Sequence, residues 1–231
     1  MALILNIDTA TEVASACLSD GSQLLAIREN HQQKEHASFI NVAIGEIFNE
    51  ANLPVNSIEA VAVTIGPGSY TGLRVGLATA KGFCYALKVP LITLSTLKVM
   101  TIAAKKHVIK NKIEGIDLFC PMIDARRMEV FTALFDEELN PVLAECALEL
   151  SEKSFSDYIL KNSIFFFGNG SNKFSSFTTN EKNYFGTVQH NASDIIPLAQ
   201  QAFTRKRFTN LAYAEPNYLK EFFTPAKIFK Y

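Results

Sequence analysis

The sequence predicts an α/β fold in two lobes, each a mixed β-sheet with helices. Three observations carry this. The chain opens on three short strand-like runs joined by tight turns. It then alternates strand and helix from Ala60 to about Lys106. Beyond a polar, basic stretch at Lys105–Gly115, a second set of apolar runs begins.

Taken in order, Leu3–Thr9 is a short apolar run ending in Asp8-Thr9, and Ala14–Ser19 is a second. Asp20-Gly21 is a hairpin signal, so Gln23–Arg28 completes a β-meander. From Ala37 to Asn52 the apolar period changes to three and four, with Phe39, Ile40, Ala43, Ile44, Ile47, Phe48 and Ala51 in step. Asn52-Leu53-Pro54 ends that helix. Ala60–Ile65 is a buried strand by its β-branching, and Gly66–Gly72 is a loop by composition. Leu73–Leu87 is a helix and Val89–Thr93 a strand. Ser95 caps a helix to about Lys106.

Strands are expected at Asp117–Asp124, Glu129–Phe135 and Val142–Leu148, a helix at Ser151–Lys161, and a buried strand at Ile164–Phe167. Ser193 to Arg205 is a helix with Ser193 as N-cap and Pro197 near its start. Asn210 to Tyr231 is a tail rich in aromatics. The lobe boundary is placed at residues 105/106. That gives a first lobe over 1–105 and a smaller second lobe over 106–231, with the last helix returning to pack on the first lobe.

Composition narrows the function classes. The 231 residues are 48% hydrophobic and 19% charged, enough apolar side chain to bury a sizeable core. Lys+Arg is 22 and Asp+Glu is 23, a net charge of −1 that does not advertise a dedicated nucleic-acid reader. No run approaches the roughly 20 apolar residues needed to span a bilayer, and Met1–Asp8 has no basic leader region. Cys17, Cys84, Cys120 and Cys146 form no C-x-x-C pair and read as buried thiols of a reducing, cytoplasmic protein, a disulfide pair being the alternative.

Three features could carry chemistry. In the Asp8-Thr9-Ala10-Thr11 turn, hydroxyls and backbone N–H groups can hold a phosphate, and the acid its Mg²⁺; an ordinary hairpin satisfying its own backbone is the alternative. Gly66, Gly68, Ser69 and Gly72 lie between a strand and a helix, where an anion site belongs. Their spacing is neither that of a dinucleotide fingerprint nor of a Walker loop, and Pro67 removes one donor. Gly72, Gly76 and Ala80 make a ridge of small side chains on one helix. It faces either the protein's own sheet or another helix, including a partner's. The helix from Ala37, apolar on more than one face, supports the partner reading. The four histidines lack metal-pair spacing and no nucleophile stands beside a base, so neither a metal site nor a catalytic residue is expected. Arg205-Lys206-Arg207, the densest basic run, reads as a solvated helix end.

Ile7-Asp8-Thr9-Ala10-Thr11-Glu12, the segment Gly66 to Gly76, and Asp124-Ala125-Arg126-Arg127-Met128-Glu129-Val130 together resemble the TsaB (YeaZ) family of bacterial tRNA threonylcarbamoyladenosine biosynthesis subunits. Gly168-Asn169-Gly170 and Glu215 to Lys220 extend the resemblance over nearly the whole chain. It implies actin-like, ribonuclease H-like lobes with a βββαβα core, the second lobe degenerate. It also implies a role beside TsaD, a paralogue that performs the chemistry, and the ATPase TsaE. Together these place a threonylcarbamoyl group on the adenosine 3′ of the anticodon.

Catalytic paralogues carry His-x-x-x-His after the meander; here the matching stretch is His36-Ala37-Ser38-Phe39-Ile40, with one histidine. The resemblance therefore implies a non-catalytic scaffold with a vestigial phosphate turn at Asp8, Thr9, Thr11, Gly66, Gly68 and Ser69. It implies no cofactor of its own, Mg-ATP or another nucleotide entering at the level of the complex. Partners would be TsaD or, in isolation, a second copy, with tRNA reached through the complex and no membrane. Pairing is expected through helices 37–52 and 72–87, with Phe39, Ile40, Ala43, Ile47, Gly72, Gly76 and Ala80 at the interface. Gly76→Leu is then expected to leave the monomer folded and weaken association. The competing classes are a stand-alone ATPase or phosphotransferase of the actin-like superfamily and a glycopeptidase-like hydrolase.

Overall fold

The computed structural model describes residues 2–32, 35–178 and 182–220. The expected meander is β1 (Leu3–Asp8), β2 (Ala14–Asp20) and β3 (Gln23–Asn30). After it come α1 (His36–Ala51), β4 (Ala60–Gly66), α2 (Tyr70–Leu87), β5 (Leu91–Ser95) and α3 (Thr96–Asn111). The first sheet has the order β3-β2-β1-β4-β5, antiparallel within the meander and parallel from β1 to β4 and β5.

The second half consists of β6 (Leu118–Asp124), β7 (Glu129–Phe135), β8 (Pro141–Glu149), α4 (Ser156–Ile159), β9 (Ile164–Phe167), α5 (Ser171–Ser175), β10 (Tyr184–Gly186) and α6 (Ile196–Thr204). Its sheet runs β10-β9-β6-β7-β8. The topology of the first sheet is thus repeated: an antiparallel meander, then two parallel additions. What has degenerated is the helices, since α4 and α5 span only four and five residues. The sheet survives because paired Phe165, Phe166 and Phe167, each at most 1% exposed, fill its two faces.

Helices cover both faces of the first sheet. On one side Ile40, Ile44, Ile47 and Phe48 of α1 meet Leu77, Ala80 and Cys84 of α2 over Leu5, Ile7, Val61 and Val63. On the other, Val99 of α3 and Ala199 of α6 pack with Ile195 on Ile4, Ala60, Ala62 and Ile92. So α6, which follows the second sheet in sequence, closes the first.

Several boundaries differ from those expected. α2 begins at Tyr70, because Ser69 is its N-cap and accepts from Gly72 N at 3.3 Å. α3 continues to Asn111, so most of the expected polar linker is helix. Ser151–Lys161 forms one helical turn only, broken upstream by Phe155 at φ 61°. Ser193 caps no helix: it lies in a 3-10 turn, Ala192–Asp194, that leads into α6 and is capped by Asn191, whose Oδ1 accepts from Ser193 N while Asp194 Oδ2 accepts from Asn191 N. α6 itself starts after Ile195 without a side-chain cap. The strand β10 was not expected. The tail beyond Lys220 lies outside the described residues.

Candidate functional site: the β1–β2 turn and the helices beside it

Asp8 ends β1, and its carboxylate points into the protein with 1% exposure. Parallel pairing of β1 with β4 brings Thr64 beside it, and the Thr64 hydroxyl donates to Oδ1 at 2.8 Å. Ala10 N donates to the same oxygen at 2.9 Å. Oδ2 faces Nε2 of His190 at 3.1 Å, an ionic contact without the alignment of a good hydrogen bond. His190 is itself 5% exposed and sits on the segment leading into α6. Burial alone would push Asp8 up; the His190 charge, with the Ala10 and Thr64 hydrogen bonds, outweighs it and holds the carboxyl below its ordinary range. Burial alone would push His190 down, and the Asp8 charge reverses this and raises it.

The rest of the turn closes in the same way. The Thr9 hydroxyl donates to Gly72 O at 2.7 Å, and Ser69 N donates to Ala10 O at 2.7 Å. A Cβ on Gly68 would stand 2.2 Å from Ala10 O, so the glycine loop lies directly on the turn. Its other side is occupied by the C-terminal segment, where Asn217 N donates to Ile65 O at 2.6 Å. At Gly66, φ is 128° and a Cβ would meet Asn217 O at 2.5 Å; only glycine fits. Asp8, Thr9, Gly66, Gly68 and Ser69 are therefore brought together as the sequence suggests. The polar groups of Asp8, Thr9 and Ser69 are spent on Thr64, Ala10, His190 and Gly72. Thr11, half-buried, offers its carbonyl to Nε2 of His36 at 2.9 Å.

A paired-histidine metal site does not fit these residues. One nitrogen of His36 is engaged by Thr11 O, and Ile40, one turn on, is fully buried in the core. Among the described residues no group of three His, Cys, Asp or Glu converges. Cys84 is pushed up to about 11 by burial, and Cys17 and Cys120 are raised for the same reason, so none is a poised thiolate. No helix among the described residues is long and apolar enough to cross a membrane.

The small-residue ridge requires a correction. A Cβ on Gly72 would lie 2.0 Å from Thr9 O, and one on Gly76 2.3 Å from Thr9 Oγ1. The close neighbour that these glycines admit is the chain's own β1–β2 turn, not a partner helix. Ala80, Ile40, Ala43 and Ile47 are likewise buried inside the lobe, and Phe39 is half-buried. Gly76→Leu would therefore attack the fold itself. The outward faces carry other residues: Val42 at 62% and Tyr85 at 81% exposure, with open space above Gly45 and Gly82. In sequence, Val42 already makes α1 apolar on more than one face, but the contact is expected on the inward stripe, the stronger periodic signal, and nothing local marks Tyr85, Gly45 or Gly82. Sequence reasoning missed His190 because a lone histidine carries no local mark of a partner so distant in sequence.

Between the lobes, Asn169 of the Gly168-Asn169-Gly170 turn donates from Nδ2 to Glu12 Oε1 at 3.2 Å and accepts from Asp124 N at 2.9 Å. Ser95, the N-cap of α3, hydrogen-bonds Glu145 on β8 across the same gap. The two turns that would face each other across a cleft are thus bridged by side chains.

Over residues 23–225 the sequence matches the family described as TsaD: tRNA N6-adenosine threonylcarbamoyltransferase. The tRNA threonylcarbamoyladenosine biosynthesis protein TsaB of Haemophilus influenzae is 29% identical, covering 97% of this chain and 96% of its own length. A Pseudomonas aeruginosa structure described as an uncharacterized protein with similarity to peptidase YEAZ superposes with a TM-score of 0.80 at 23% identity, covering 95% of this chain and 100% of that one. The inorganic polyphosphate/ATP-glucomannokinase of an Arthrobacter strain shares the two-lobed, actin-like fold with a TM-score of 0.50 at 11% identity, over 89% of this chain and 100% of its own. Matched over most of its length, the chain belongs to the TsaD family, and its relatives there include TsaB and YeaZ proteins.

Proposed function

We propose that this chain is a non-catalytic subunit of the cytoplasmic machinery that places a threonylcarbamoyl group on the adenosine 3′ of the anticodon in tRNA. It acts by holding a catalytic TsaD paralogue in its working form. The observation that carries this reading is the closure of the β1–β2 turn. Asp8, Thr9 and Ser69 spend their polar groups on Thr64, Ala10, Gly72 and His190. A site that bound and turned over a nucleotide would need those donors aimed at phosphate. The kinship with TsaB proteins supplies the reaction, and the single His36 separates the chain from members with a metal pair. It needs no cofactor of its own. Mg-ATP enters with the paralogue and with a TsaE-type ATPase.

Pairing uses the outer faces of α1 and α2. Val42 and Tyr85 are large, apolar-bodied side chains exposed beside Gly45 and Gly82, where a partner helix can approach closely. In isolation the same faces pair two copies. Co-purification with the organism's TsaD, with gel filtration of Val42→Arg and Tyr85→Ala, tests this. Loss of the complex at unchanged circular dichroism is expected, and an intact complex would contradict it. Titration calorimetry of the isolated chain with Mg-ATP separates the alternative: micromolar binding with turnover would make it an ATPase in its own right.

A further inference from the structure

Away from the lobe cleft, at the edge of the first sheet, α2 and α6 end beside each other. Their C-terminal residues and the loops after them enclose a hollow of about 500 Å³ lined by Glu59, Lys88, Pro90, Phe203, Lys206 and Phe208. The mouth is basic. Lys88 and Lys206 line it, and Arg205 and Arg207 flank Lys206, all four exposed. None of the four is in an ion pair with any described residue. The single acid of the lining, Glu59, already accepts from Leu3 N at 3.0 Å. Helix C-termini attract cations, which accounts for one positive charge at the end of each helix. Lys206 and Arg207 exceed that, in a chain whose net charge is −1.

The aromatic part of the hollow is equally specific. Phe208 is 41% exposed, and Phe203 meets it edge-to-face at 5.8 Å and 68°. A partly exposed phenyl ring beside ammonium groups in no ion pair suits an unstacked base on the ring with phosphates at the amines. An acidic protein surface would match the charge but leave the ring without a planar partner.

We propose that this hollow is an RNA contact. Lys88 and Lys206 hold backbone phosphates of the tRNA substrate and Phe208 stacks one unpaired base. The proposal rests on the function proposed above, because it takes the RNA to be the tRNA that the complex modifies.

Both lysines sit at positive φ, 56° and 52°. Asparagine tolerates that conformation and carries no charge, so Lys88→Asn with Lys206→Asn removes the cations without straining the caps. Fluorescence anisotropy would follow a labelled, unmodified tRNA binding to the intact chain, alone and with its catalytic paralogue. The double variant is expected to bind about tenfold more weakly and to lower the salt slope of log K by about 1.5, as loss of two phosphate contacts requires. Phe208→Ala is expected to weaken binding about fivefold with the slope retained. Thermal melts of each variant verify folding.

Affinity and slope within twofold of the unaltered protein in K88N/K206N would overturn the proposal. So would loss of the paralogue complex in that variant by gel filtration, which would make the hollow a protein-docking surface. So would an F208A variant that binds normally. If tRNA modification proceeds at full rate without the chain, the proposed function fails instead. If the chain is required while K88N/K206N binds tRNA and supports modification normally, only this inference fails.

Discussion

His190, on the segment that leads from the second sheet into α6, places Nε2 3.1 Å from Oδ2 of Asp8 at the end of β1. The pair ties the closing helix of the first lobe to the turn where a nucleotide's phosphates would be expected. Both groups are buried, so neither charge is tolerable without the other.

Removing one partner should therefore be costly. His190→Gln leaves Asp8 buried beside a neutral group and is expected to lower stability by about 3–5 kcal/mol. Adding Asp8→Asn should recover part of that loss, a coupling that urea denaturation of both single variants and the double variant would measure. Additive losses would mean that the two side chains do not interact.

The same pair sets a pH window. The Asp8 carboxyl is lowered on folding, so its contribution is present above the unfolded value near 4 and is lost as pH falls through the folded value. His190 is raised, with Asp8 and then Asp194 as the favourable charges. Its contribution is complete below about 6.5 and is lost as pH rises through the folded value. Asp194 is itself paired to Lys106 of α3. Melting temperature is expected to be highest between about pH 4 and 6.5 and to fall on the alkaline side. H190Q should flatten that alkaline fall; an identical slope in the variant would show that another group is responsible.

The glycines of α2 should divide sharply. Gly76→Ala drives a methyl against Thr9 Oγ1, and Gly72→Ala drives one into Thr9 O. Each is expected to destabilise the fold by about 1–3 kcal/mol despite alanine's better helix propensity. Gly82→Ala meets nothing within 4 Å and should stabilise the monomer by about 0.5–1 kcal/mol. Thermal melts would order the three, and a stabilised Gly76→Ala would mean that the turn does not lie on the helix.

Asn191 should behave as the cap of the 3-10 turn that leads into α6. Asn191→Ala removes the acceptor for Ser193 N and is expected to cost about 1 kcal/mol, seen as a lower urea midpoint at constant slope.

Much of this fold is legible from local pattern. The meander, β4, β7 and β9 follow from apolar runs and turn residues, because their signals lie within a few neighbours. The start of α2 is harder: Ser69 is a good cap, yet Gly68 and Gly72 around it make the segment read as loop. The short helix at Ser156–Ile159 has helical composition, but Phe155 in the left-handed region stops it from extending. The direction of the Gly72–Gly76–Ala80 ridge was not legible at all. A stripe of small residues says that something comes close, and only the three-dimensional position of Thr9 says what. His190 is the same problem in another form: its partner is set by how α6 returns to the first sheet.

The most direct measurement follows transfer of labelled threonylcarbamoyl to tRNA in the reconstituted system, with each subunit omitted in turn. This chain alone is expected to transfer nothing, and the catalytic paralogue is expected to lose most of its activity without it. Transfer by the chain unaided, or an undiminished rate in its absence, would contradict the supporting role.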